Sequence, residues 1–197
     1  MAKVVILGAG AMGSAMAMVT GDRGHRVALV GTHLDEAMAV GGPCIAGELA
    51  AKRDTRVVVA GDDEGILNRV VDLLETPYYH ASTSKDLVGI EVCAAFKNLY
   101  AIGVGAASGR LECVGRAENG ALMHNLAAAL FSQALAELSI LVNSLGGDRA
   151  SVAGLAGTGD LYVTCQAGRN CRIDFVRRVL ERMTSNNRWH DHEHAED

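Results

Sequence analysis

Val4-Val5-Ile6-Leu7-Gly8-Ala9-Gly10-Ala11-Met12-Gly13 is the stretch that decides the fold class. Four consecutive apolar residues suit a strand buried on both faces. Three spaced glycines follow at once; Ser14 to Val19 then reads as a helix, and Arg26 to Val30 as the next strand, reached after Gly24-His25. In such a unit the first glycine permits a tight turn and the second lets a pyrophosphate approach the backbone. The third lets helix and strand pack closely, and the helix N-terminus faces the phosphates. The context points to dinucleotide binding; a bland glycine-rich turn is the competing reading.

Working outward, the next segment is too short for a complete nucleotide domain. A doubly wound dinucleotide domain has six strands in two halves. Only Gly31 to Gly42 separates the second strand from a different kind of segment, Gly42-Pro43-Cys44-Ile45-Ala46-Gly47-Glu48. A further strand–helix–strand unit needs about thirty residues. Later strands are expected at Thr55 to Ala60 and Tyr78 to Ala81, with a helix near Asp63 to Leu74. The sheet is therefore expected to hold about four strands and to open onto an incomplete crevice.

From Lys85 onward the pattern is helical. Asp86 to Ala107 reads as one helix or a broken pair, relaxed by Gly103 and Gly105. Asn119 to Leu145 carries a wide apolar stripe and reads as a central helix ended by Gly146-Gly147. A further helix is expected over Asp174 to Met183. Thr184 to Asp197 is polar, with His190, His192 and His194 among acids, and reads as a frayed tail without a metal site. The fold class is thus α/β: a partial Rossmann-like parallel-sheet domain over residues 1–84, an all-α domain over 85–183, and a polar tail over 184–197.

Composition narrows the function. A chain of 197 residues with 49% apolar and 21% charged residues is ordinary for a soluble protein, and at this length it buries roughly 70% of its unfolded surface. The net charge of -5 offers no electrostatic footprint for nucleic acid or anionic lipid. Five single cysteines, at 44, 93, 113, 165 and 171, lack a paired metal-ligand spacing and read as reduced thiols of a cytoplasmic protein. The N-terminal run imitates a signal peptide, but its spaced glycines argue against one. The apolar stretch from Gly120 to Val142 is interrupted by His124, Asn125, Gln133 and Glu137, so no membrane span is expected there.

Two constellations carry the chemistry. Gly89-Ile90-Glu91-Val92-Cys93-Ala94-Ala95-Phe96-Lys97-Asn98 ends a small, apolar run with an ammonium and an amide. Such a lysine must snorkel, find an acid, or work in a pocket, because burying a lone ammonium costs several kcal/mol. Gly157-Thr158-Gly159-Asp160-Leu161-Tyr162-Val163-Thr164-Cys165, with Gly168-Arg169-Asn170 after it, supplies a carboxylate and a guanidinium among glycines. Together they outline a polar site for a small phosphorylated molecule. Blander readings stand beside each: Lys97 as a surface lysine, Asp160 as a cap for a helix beginning at Leu161, Arg169 as a solvated charge, and Glu48 as a complement to a helix N-terminus. Cys44 reads as packing.

These blocks, taken in order, resemble the NAD(P)-dependent glycerol-3-phosphate dehydrogenases. The resemblance covers Gly8 to Gly13, Gly42 to Glu48, Glu91 to Asn98, and Gly154 to Cys165 with Gly168 to Asn170. It runs to about Arg172, with one interior gap between about Glu36 and Val40 where the family holds further nucleotide-domain strands and a second lysine. The chain also stops early relative to the family's final helices. The resemblance implies that Lys97 is the general acid/base and that Asp160 is the carboxylate accompanying it. It implies that Arg169 and Asn170 grip the substrate phosphate, as a planar guanidinium suits, and that Asn98 and Thr164 orient the substrate. Gly8, Gly10, Ala11, Met12 and Gly13 would hold the cofactor, with Thr32 and His33 after the second strand. Where Cys44 stands, the family usually has a serine or another small polar residue.

The implied reaction interconverts sn-glycerol 3-phosphate and dihydroxyacetone phosphate with NAD or NADP. The absence of an acid directly after Val30 leans the cofactor toward NADP. The expected partner is a small phosphorylated triose, with neither nucleic acid nor membrane, and any assembly is expected to be a homodimer. Weak or undetectable turnover is expected because half the nucleotide domain is missing. The alternative is an inactive remnant that keeps phosphate or partial nucleotide binding. A different two-domain dehydrogenase is disfavoured by the Lys97-Asn98 and Gly-Asp-Leu blocks.

Overall fold

The computed structural model describes residues 3–7, 19–24, 26–30, 38–114 and 121–167. The glycine loop at 8–13, Thr32, His33, Arg169, Asn170, the helix expected over 174–183 and the tail at 184–197 lie outside the described residues.

Strands β1 (Lys3–Leu7) and β2 (Arg26–Val30) form a parallel pair in register, from Lys3 opposite Arg26 to Leu7 opposite Val30. Both strands end on the same edge, directly before Gly8 and Gly31. A second sheet has the order β3 (Ala39–Gly41), β4 (Thr55–Ala60), β5 (Tyr79–Ser84). The single sheet of about four strands expected from sequence is thus, among the described residues, a pair and a triplet. β3 was not anticipated. It is three residues long, too short to show alternation, and it runs antiparallel to β4 while β4 and β5 run parallel. β5 extends to Ser84 rather than stopping at Ala81, because every residue of β4 finds a partner along it.

β4 shows why its sequence is a nearly unbroken apolar run. Val57 and Val59 enter one core with Val19, Leu49, Leu67, Leu74 and Tyr79, whereas Val58 and Ala60 enter another with Ile90, Cys93, Leu138, Val142, Val152 and Ala156. Alternate residues point to opposite faces of a strand, and both faces here are covered. Each buried valine contributes roughly 1.5–3 kcal/mol. The first core lies under α1 (Ala46–Ala50) and α2 (Glu64–Leu74), together with the helical residues 19–22. Asp63 caps α2, its Oδ1 accepting from Ile66 N at 2.9 Å.

The second core faces α3 (Leu87–Val114) and α4 (His124–Ser144). Sheet and helices thus share a continuous interior. α3 is one helix; Gly103 and Gly105 do not break it. α4 begins at His124 rather than Asn119, and it ends as expected. Gly146 takes φ +90°, its N–H bonds Asn143 O at 3.2 Å, and Gly147 N–H bonds Val142 O at 2.9 Å. This double bond closes the orphan carbonyls of the last turn. Two segments, Leu87–Ala107 and His124–Ser144, are long and apolar enough to cross a membrane by length and composition. The polar residues within 120–142 therefore do not exclude a span by that measure, although core helices of soluble proteins meet it as well.

Candidate functional site

The site begins where α3 is anchored. Asp86 precedes its first turn and accepts from Gly89 N (2.9 Å), Asp148 N (2.9 Å) and Ser151 Oγ (2.5 Å). Burial pushes the Asp86 carboxyl upward, but these three donors outweigh it and hold the group below its usual range. Gly147 abuts Gly89 so closely that a Cβ at 147 would stand 2.7 Å from Gly89 N. The N-terminus of α3 and the C-terminal end of α4 are therefore locked together, and α3 is a fixed base for Lys97.

The partner of Lys97 arrives by an irregular route. After α5 (Ala150–Ala153), residues Leu155–Gly159 form one π-helical turn, with Gly159 N–H bonded to Gly154 O at 3.2 Å. A Cβ on Gly157 would lie 2.2 Å from Val152 O, so only glycine fits that wide turn. π turns are rare and recur at functional sites. This one delivers Asp160, the first residue of α6 (Asp160–Ala167), to Lys97. Lys97 Nζ stands 2.6 Å from Asp160 Oδ2. The lysine side chain is 26% exposed and the aspartate side chain 5%.

Asp160 is therefore no simple helix cap, and Lys97 no free surface lysine. Burial pushes the Asp160 carboxyl upward, while Lys97, the Gly42 N–H and the Thr164 side chain oppose it; the net direction is up. A buried ion pair is weak evidence for stability, because desolvation offsets the attraction. A carboxylate perturbed by burial beside a specific cation is instead a functional-site signature.

Thr164 is buried one turn further along α6, its Oγ1 donating to the Asp160 carbonyl oxygen at 2.6 Å. Asn98 follows Lys97 on α3 and is exposed. The structure thus brings together Lys97, Asp160 and Thr164 from the expected set. Sequence reasoning gave Gly42 no role, although it is buried where β3 ends, and a Cβ on it would stand 3.1 Å from Val57 Cα. The available signal was the pair Gly41-Gly42 before Pro43, since doubled glycines at a strand end mark a close backbone approach. Cys44 lies within electrostatic reach of the pair. Burial first, then the Asp160 charge, push its thiol up to about 11, with Lys97 acting against them. It is a thiol rather than a thiolate at neutral pH, which agrees with a packing role. Glu48 is exposed in the first turn of α1, where a carboxylate complements the helix N-terminus.

Comparison with known proteins defines the class first. A solved glycerol-3-phosphate dehydrogenase from Coxiella burnetii superposes with a TM-score of 0.74, covering 86% of this chain and 78% of that one, at 22% identity. At that identity the likeness establishes the fold alone: an α/β layer joined to a helical layer. Residues 86–183 match the model of the NAD-dependent glycerol-3-phosphate dehydrogenase C-terminus. The glycerol-3-phosphate dehydrogenase [NAD(P)+] of Chlorobium limicola is 35% identical over 158 residues, 80% of this chain and 44% of the relative. The NADP(+)-dependent glycerol-3-phosphate dehydrogenase of Archaeoglobus fulgidus is 32% identical over 136 residues, 69% of this chain and 39% of the relative. The chain belongs to the glycerol-3-phosphate dehydrogenase family. It spans less than half the length of these curated relatives.

Proposed function

We propose that this chain interconverts sn-glycerol 3-phosphate and dihydroxyacetone phosphate, with Lys97 as general acid/base. The observation that carries this reading is the ion pair of a part-exposed Lys97 with a sealed Asp160. Reduction of the ketone leaves charge on its oxygen, and Lys97 Nζ gives that oxygen a proton. The lysine is left neutral and regains a proton from solvent on its open side. Asp160 holds the amine in place and stabilises its charged form. A group so placed typically contributes 10²- to 10⁴-fold. Thr164 and Asn98 would orient the substrate, with Arg169 and Asn170 on its phosphate.

NAD or NADP would supply the hydride when bound, with NADP favoured by the lack of an acid directly after Val30. The fit rests on β1 and β2, which run parallel and end in register where Gly8 and Gly31 follow. Dinucleotides sit at the carboxyl ends of such strands. Gly8, Gly10, Ala11, Met12, Gly13, Thr32 and His33 would form the contacts. Within this reading, residues 1–84 serve the nucleotide, 85–183 the substrate, and 184–197 form a tail. The setting is cytoplasmic, and any assembly is a homodimer.

A second reading is a chain that binds phosphate or part of the nucleotide without turnover. The short stretch between β2 and β3 favours it, because several strand–helix units cannot fit there. NADPH fluorescence on titration with purified chain, followed by NADPH oxidation with dihydroxyacetone phosphate, separates the two. Saturable oxidation supports the first reading. Binding without oxidation supports the second, and neither binding nor oxidation rejects the first.

A further inference from the structure

Asp86 sits where three parts of the helical layer meet. Its Oδ1 accepts from Gly89 N at 2.9 Å, which caps the first turn of α3. Its Oδ2 accepts from Asp148 N at 2.9 Å and from Ser151 Oγ at 2.5 Å, on the stretch that leaves α4 and opens α5. One oxygen thus holds the helix that carries Lys97, and the other holds the segment that leads to Asp160. That segment is tied to itself between Ser151 and Asp160. Val152 O accepts from Thr158 Oγ1 at 2.8 Å, the Gly157 backbone passes directly against Val152, and Gly159 N–H bonds Gly154 O at 3.2 Å. On the other side, Lys97 lies about 15 Å further along one unbroken helix. The result is a closed frame bridged by a carboxylate at each end: Asp86 at one, Asp160 against Lys97 at the other.

We propose that Asp86 is a positioning residue for the Lys97–Asp160 pair: its carboxylate ties the first turn of α3 to Asp148 and Ser151, and so sets the spacing at which the lysine meets the aspartate at the far end of the frame. The proposal rests on the acid/base role of Lys97 given above. Capping a helix takes one oxygen, as Asp63 shows on α2. Asp86 directs its second oxygen to residues 62 and 65 positions along the chain, a contact that capping does not require. Its three donors hold the carboxyl in its charged form despite burial. The bridge is therefore charge-assisted, and such bonds are stronger than neutral ones. If α3 and α5 separate, the amine no longer meets the sealed carboxylate at 2.6 Å. Their attraction then falls with distance and with the water admitted.

The test reads the coupling within the pair, by carbon-13 NMR of the aspartate-labelled 197-residue chain across pH, with the Asp160 signal assigned through Asp160→Asn. Lys97 favours the charged carboxylate, so Lys97→Met raises the Asp160 midpoint. In an Asp86→Ala background that rise shrinks. In an Asp63→Ala background, which removes the cap of α2 instead, the rise keeps its native size. Ser151→Ala leaves the cap on Gly89 and removes one arm of the bridge, and it shrinks the rise as well. A folded Asp86→Ala chain in which Lys97→Met acts as strongly as in the native background overturns the proposal. Equal shrinkage with Asp63→Ala marks a general loosening and overturns it too. If Asp86→Ala does not fold, Ser151→Ala decides: a smaller rise supports positioning, and a full rise overturns it. Turnover is measured in parallel, where Asp86→Ala lowers kcat more than it raises KM. Absent turnover in the native chain counts against the acid/base reading alone, because the coupling is read without activity.

Discussion

Lys97 and Asp160 meet at 2.6 Å across 63 residues of sequence, and the two ends of that contact live in different media. The lysine side chain keeps 26% of its exposure and the aspartate side chain 5%. On the proposed role, proton exchange with solvent would pass through the amine, with the carboxylate behind it. That asymmetry orders the outcomes expected of variants.

Lys97→Ala and Arg169→Ala fail differently if the chain turns over. Lys97 gives a proton to charge present only in the transition state, so its loss lowers kcat by roughly 10²- to 10⁴-fold with a lesser effect on KM. Arg169, as the proposed phosphate ligand, acts on the ground state as well, so its loss mainly raises KM. It also narrows the preference for phosphorylated over unphosphorylated dihydroxyacetone. Steady-state kinetics on both substrates decide this; unchanged discrimination in Arg169→Ala removes the phosphate role from that residue.

Asp160→Asn separates stability from function through pH. The folded carboxyl lies above its ordinary value of 3.8 because it is buried. A raised group favours the fold most when it is protonated, below its unfolded value, and that contribution is lost as pH rises through the folded value. The stability of the native chain relative to Asp160→Asn should thus fall upward from about pH 3.8 and then level off, while any turnover the chain has is lost in the variant at every pH. Urea midpoints across pH check it; a native advantage that grows with pH reverses the sign and refutes the assignment.

Two glycines predict opposite stability changes. Gly103 lies exposed on α3 with nothing within 4 Å of an added Cβ, so Gly103→Ala stabilises by about 0.5–1 kcal/mol. At Gly157 an added Cβ meets the Val152 backbone, and the π turn cannot retreat. Gly157→Ala should cost about 3 kcal/mol or more. Chemical denaturation of both variants measures the difference, and equal midpoints would show that the turn adapts.

Cys44 reports the charge of the pair. Its thiol, pushed up to about 11, should alkylate faster with each step of pH through 9 and 10, without the plateau of an ordinary thiol. Because the Asp160 charge raises it and Lys97 lowers it, Asp160→Asn brings the midpoint down and Lys97→Ala takes it up. Iodoacetamide labelling followed by peptide mass spectrometry reads the site directly. Identical profiles in native chain and variants would place Cys44 beyond the field of the pair.

Much of this was legible in the chain because local rules agreed with tertiary ones. Thr55 to Ala60 read as a strand, Asp63 to Leu74 as a helix, and Gly146-Gly147 as a helix end. Lys97 in an apolar run had to snorkel, find an acid or work in a pocket, and the fold brings it to the acid Asp160. What escaped was fixed by partners distant in sequence. Ala39-Val40-Gly41 has no pattern of its own and becomes a strand through the edge of β4. The π turn at Leu155–Gly159 exists through Gly157 passing Val152, and Gly41 is packed against Ile90 and Ala156, far along the chain. No window of sequence contains both halves of such contacts.

β3 is hydrogen-bonded to β4, and among the described residues no ladder joins it to β2. The anchorage of Lys97 and Asp160 consequently does not pass through the chain that links β2 to β3. That link can lengthen or shorten as a hinge pin can be drawn without disturbing the lock on the far side of a door. On the proposed roles, the segment that would handle the proton is seated without that link, and a graft of additional strand–helix units after Val30 should find the amine and the carboxylate already in place.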